Sequence, residues 1–93
     1  MTNVFILAME ELKVLTAYIQ AAMRRAQYEL LDEGTYYGEV PGFQGVYANA
    51  DNLEACRSLL QEVLEGWLLV SFAKQLPVPV VDGIDLTVTE DVA

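Results

Sequence analysis

The sequence predicts an α+β domain: an N-terminal helix followed by β-β-β-α-β, with an antiparallel sheet and the main helix packed on one face. Two observations carry the helices: apolar residues recur at three- and four-residue steps over 10–25 and again after Asp51. A third carries the sheet: residues 26–48 alternate with a period of two and are punctuated by glycines and one proline. A chain of 93 residues accommodates one domain. Residues 1–25 read as an N-terminal helical extension, 26–81 as the core, and 82–93 as an acidic C-terminal tail or a short strand.

In the first helix Leu12, Leu15, Ile19, Ala22 and Met23 form the apolar stripe, with Tyr18 on its flank. Glu10 and Glu11 open it and Arg24 and Arg25 close it, both favourable to the helix dipole. AQYELL then places Ala26, Tyr28 and Leu30 on one face of a strand. Asp32, Glu33 and Gly34 make a short turn in which Gly34 supplies positive φ. TYYGEV is the return strand, with Tyr36, Gly38 and Val40 on one face and Tyr37 and Glu39 on the other. Pro41 has no N–H to donate, so pairing stops there. Gly42 and Gly45 bracket a corner, and Val46, Tyr47 and Ala48 form a third, short strand.

The main helix begins at Asp51 or Asn52, and Asp51 with Glu54 has the spacing of a capping box. Its stripe reads Leu53, Cys56, Leu60, Val63, Trp67 and Val70. Residues 76–81 are β-branched but interrupted by Pro77 and Pro79, which fits an edge strand or an extended arm. Asp82 and Gly83 turn the chain.

The composition argues against chemistry of the chain's own. It contains no histidine, the commonest general base and metal ligand. The single cysteine, Cys56, lies on an apolar stripe rather than in the electropositive setting a thiolate needs, and it rules out an intrachain disulfide. The carboxylate pairs Glu10–Glu11, Asp82–Asp85 and Glu90–Asp91 lack a constrained metal-binding arrangement, and the glycines match no phosphate-binding loop. The expectation is therefore no catalytic residue, no metal and no cofactor; a hydrolase using scattered carboxylates is the weakest of the readings. Tyr36, Tyr37, Phe43 and Tyr47 could stack on single-stranded RNA, but no cationic side chains accompany them.

With 14 acidic and 5 basic side chains the net charge is −9, which repels nucleic acid and anionic membranes. The same field attracts a basic protein, or simply keeps an apolar oligomer soluble; both readings stand. Hydrophobic residues make up 54% of the chain, more than a lone small domain readily hides, so a homo-oligomer is expected. The opening has no basic signal-peptide region and the longest apolar runs are too short to span a bilayer. A cytoplasmic protein with no membrane contact is the expectation.

The segment Tyr37-Gly38-Glu39-Val40-Pro41-Gly42-Phe43-Gln44-Gly45, followed by Asp51-Asn52-Leu53-Glu54-Ala55, resembles the HicB antitoxin family. There a hairpin, a segment like V-P-D-L-P-G, a short strand and a D-[ST]-x-E-E-A helix start follow in the same order. The resemblance covers about residues 26–81. It implies a non-catalytic protein that binds and occludes a small basic ribonuclease toxin of the HicA type. It also implies contacts on the outer sheet face and corner at Tyr37, Glu39 and Phe43. The residues after Gly83 are too few for the DNA-binding module many family members carry, so no direct DNA binding is expected. The alternative is a stand-alone, homo-oligomeric HicB-like protein with a regulatory or ligand-binding role and no toxin. Gly34, Pro41, Gly42, Gly45, Asp51 and Glu54 are assigned to turns and the helix cap.

Overall fold

The computed structural model describes residues 4–86, with side chains from Met9 onward. Helix α1 (Val4–Arg24) leads into strands β1 (Gln27–Leu30), β2 (Tyr36–Glu39) and β3 (Tyr47–Ala50), and helix α2 (Leu53–Ala73) follows. The three strands form one antiparallel sheet in the order β1-β2-β3. The α+β fold read from the sequence is thus present. No helix among the described residues is long and apolar enough to cross a membrane.

Strand register sorts the side chains. Tyr28 pairs with Gly38, which pairs with Ala48, and Tyr36 pairs with Ala50, so these five positions share the face beneath α2. Gln27, Glu29, Tyr37, Glu39, Tyr47 and Asn49 take the opposite face. The β1–β2 turn closes with Leu31 N–H donating to Thr35 O at 2.8 Å and Gly34 N–H to Leu31 O at 2.9 Å. Gly34 sits there at φ 95°, a conformation that a side chain would strain.

Helix α2 is capped by Asn52 rather than Asp51. Asn52 has extended backbone (φ −142°, ψ 164°), and its Oδ1 accepts from Ala55 N–H at 2.7 Å. Asp51 stands one residue too early and is exposed. With Asn52 as the cap, the reciprocal acid would have to sit at position 55, which is alanine, so the expected capping box does not form. Glu54 instead sits in the first turn, where its charge suits the helix dipole.

The buried line of α2 also differs from the expected stripe. It runs Cys56, Leu60, Leu64, Leu68 and Ser71, while Leu53 and Val70 are exposed. A helix lying across a twisted sheet touches it along a four-residue ridge, which slants relative to a three-and-four stripe. That slant brings in Leu64 and Leu68 and leaves the ends of the expected stripe outside.

The second half of α1 belongs to the core and is not an extension: Tyr18, Ala21 and Ala22 are fully buried and Met23 nearly so. Of its expected stripe, Leu12 is exposed, because residues 9–14 have solvent on all sides. After α2, Gln75 takes φ 56° and Leu76 N–H reaches back to Ser71 O at 2.8 Å, a left-handed helix end. The segment 76–80 then runs over α1 as an extended arm, with Val78 partly buried against the core and no ladder partner, so the last β of the expected order is absent among the described residues. Pro77 and Pro79 explain this, since each removes a backbone donor. Leu30 is likewise exposed, at the end of the edge strand.

The arm is fixed at two points. The buried Tyr18 hydroxyl donates to Pro79 O, and burial followed by the charge of Asp85 pushes the Tyr18 phenol above its ordinary value. Beyond it, Val81 and Ile84 pair across an Asp82–Gly83 turn with φ 50° and 77°. Arg25 Nη2 lies 2.7 Å from Asp82 Oδ1 and Arg24 Nη2 lies 3.5 Å from Oδ2. The arginine hydrogen bonds, Arg25 first, hold the Asp82 carboxyl below its ordinary 3.8. A carboxyl depressed by folding stabilises the fold above its unfolded value and loses that contribution as pH falls through the folded value. Acid titration of the wild type should therefore show stability declining below pH 3.8 more steeply than in Asp82→Asn. Equal acid slopes would assign the ion pairs no role. The tail from Thr87 onward lies outside the described residues.

Candidate functional site

The 40–46 segment joining β2 to β3 is built from two successive tight turns. Phe43 N–H donates to Val40 O at 3.2 Å, Val46 N–H to Phe43 O at 3.1 Å, and Val40 N–H to Val46 O at 3.3 Å closes the loop on itself. Each turn needs positive φ at its third residue, and Gly42 and Gly45 supply it at 90°. Pro41 sits at the second position of the first turn, where its fixed φ is favourable. These glycines and the proline are therefore architecture, as the sequence suggests.

The two turns fold Phe43 inward. It is only 5% exposed, edge-on to Tyr18 (6.2 Å between ring centres) and to Trp67 (5.2 Å). Phe43 is thus an anchor that holds the loop on the core. As a docking contact, the role the resemblance implies, it is out of reach of a partner.

Tyr37 and Glu39 do share the outer face, as expected. The Tyr37 hydroxyl donates to Glu39 Oε1 at 3.0 Å. That bond, with lesser contributions from desolvation and from the charges of Glu39, Tyr47 and Glu29, pushes the phenol above its ordinary value of 10, so it remains a donor at neutral pH. Tyr47, missing from the expected contacts, stacks on Tyr37 with ring centres 6.2 Å apart and planes inclined at 27°. The signal for it was alternation continued across the corner, which puts Tyr47 opposite Glu39. At the far end Asn49 Nδ2 donates to Tyr36 O at 3.0 Å and to Thr35 Oγ1 at 3.1 Å, tying β3 to β2.

Between these side chains and the double turn lies a shallow, open depression of about 390 Å³, floored by the strands and rimmed by Pro41, Gln44 and Gly45. Its face is acidic: Glu29 and Glu39 project from the strands, and between Ala26 and Cys56 the chain carries no lysine or arginine. Among the described residues no cluster of three potential metal ligands occurs. Cys56 is buried beneath the sheet, its Sγ 3.7 Å from Ala48 O, and burial pushes its thiol above the ordinary value. The arrangement is a carboxylate and two stacked tyrosines beside a corner held by its own backbone hydrogen bonds.

The helix-backed sheet, with an outer face that no other described element covers, is a small α+β domain. The UPF0150-like family model matches residues 17–79, and the chain belongs to that family. The match begins within α1, in accord with the burial of its second half. The chain is similar to the TTHA0281 protein of Thermus thermophilus, whose crystal structure is 38% identical in sequence and superposes with a TM-score of 0.77 over 83% of this chain and 96% of that one. None of the curated proteins matches this chain.

Proposed function

We propose that this protein is a HicB-like antitoxin that binds a small basic ribonuclease toxin and neutralises it by occlusion, with no catalysis of its own. The observation that carries this reading is the outer sheet face, which no other described element covers and which presents Glu29, Glu39, Tyr37 and Tyr47 with no cation among them. An acidic, aromatic surface of this kind draws a cationic partner by long-range attraction and supplies the tyrosines that interfaces favour. Membership of the UPF0150-like family, which is related to HicB-like proteins, supports the same reading.

Co-expression with any small basic protein that the reading frame beside this gene encodes tests it. The expected result is a complex that co-purifies, weakens as salt is raised and suppresses RNA cleavage by the partner. A partner that cuts RNA equally fast with and without this chain overturns the proposal.

A second reading, a homo-oligomer without a toxin, is favoured by a different surface. The last turns of α2 and the residues after them expose Leu69, Val70, Phe72 and Leu76. Such a ridge is the kind of patch that a second copy covers. Self-association through this ridge is compatible with toxin binding on so distinct a surface; light scattering of the purified chain separates monomer from oligomer, and the co-expression above separates the two readings.

A further inference from the structure

The depression beside the double turn combines three recognition elements within one side chain's reach: a carboxylate, a flat aromatic surface and a firm rim. Tyr37 occupies Glu39 Oε1 and thereby fixes the orientation of the carboxylate, leaving Oε2 to accept from outside. Tyr47 is 59% exposed and backed by Tyr37, so one face of its ring is open. The loop that forms the rim is held by its own backbone hydrogen bonds and by the buried Phe43, so little ordering is required on binding. Glu29, across from Tyr37 on the same face, adds negative field.

We propose that this depression seats the guanidinium of an arginine presented by a basic protein partner, its plane laid on Tyr47 and its N–H fork directed at Glu39. The inference rests on the partner-binding reading above and names the group by which that partner is recognised. Arginine fits better than lysine because the plane of the guanidinium stacks on an aromatic ring while its edge still donates to a carboxylate. A lysine ammonium is a compact, strongly hydrated charge and meets only one of the two demands. A neutral planar ligand lacks the charge that makes the hydrogen bond strong.

Three blocked pentapeptides separate these contributions: Gly-Arg-Gly-Arg-Gly, its lysine counterpart, and its citrulline counterpart, which keeps the plane and loses the charge. They are titrated into the full chain and followed by amide NMR shifts. The arginine peptide is expected to shift Tyr37, Glu39 and the 44–47 amides and to bind at least about threefold tighter than the lysine peptide, with citrulline weakest. Glu39→Gln and Tyr47→Ala should each weaken the arginine peptide about fivefold, while Tyr47→Phe should keep most of the affinity. Equal binding of arginine and lysine, shifts centred on another face, or no shifts because a second copy covers this one would each overturn the proposal. The outcome is separable from the antitoxin reading. A toxin complex that forms with the Glu39→Gln, Tyr47→Ala double variant unimpaired would keep that function and eliminate the arginine seat.

Discussion

Replacing Phe43 by alanine is expected to lower the unfolding free energy by about 3–4 kcal/mol, the range for removing a buried phenylalanine. The ring fills the space between Tyr18 and Trp67 and is reached from a loop, so little nearby can collapse into the cavity. A domain of this size has about twice that amount to lose. The single tryptophan, Trp67, lies against the mutated site, so its fluorescence during urea unfolding reads the change. Phe43→Leu should recover most of the loss because it restores volume. An alanine variant within about 1 kcal/mol of wild type would mean that the loop is not anchored through this ring.

The second large effect is expected at Gly38. A Cβ there would stand 2.8 Å from Tyr28 Cδ1, 2.9 Å from Cε1 and 3.1 Å from Cys56 Sγ. The first two atoms belong to a ring rooted on the paired strand, and the third to the buried face of α2. Gly38→Ala should therefore cost about 2–3 kcal/mol, toward the upper end of overpacking penalties. Trimming the obstacle tests the cause: with Tyr28→Ala already present, the added alanine should cost much less. Strict additivity of the two changes in urea denaturation would locate the penalty elsewhere.

The legible parts of the fold were those set by local rules. Period-two alternation gave both faces of β1 and β2, and turn residues placed the corners at Gly34, Gly42 and Gly45. Periodicity placed both helices, although α1 begins at Val4, six residues before the acidic pair expected to open it. What the sequence hid was set by tertiary geometry. The slant of α2 over a twisted sheet shifted its buried line to Leu64 and Leu68. The inward direction of Phe43 depended on two consecutive turns, each ordinary alone. The proline-rich segment fitted an edge strand or an extended arm, because its residues favour extended backbone; with two donors missing, it is the arm. At the candidate site, alternation put Tyr37 and Glu39 on one face and the family resemblance singled them out, whereas Tyr47 required the register across the corner.

The arm carries a consequence for how this polypeptide is made. Tyr18 and the carbonyl it meets at Pro79 are 61 positions apart. On a ribosome the first helix emerges well before the residues that clasp it. The hairpin and α2 can associate beforehand, since their partners are close in the chain, whereas the helix must wait for the clasp until synthesis has passed Pro79. Docking of the arm, rather than growth of the sheet, is then the moment at which Tyr18 is sealed from water.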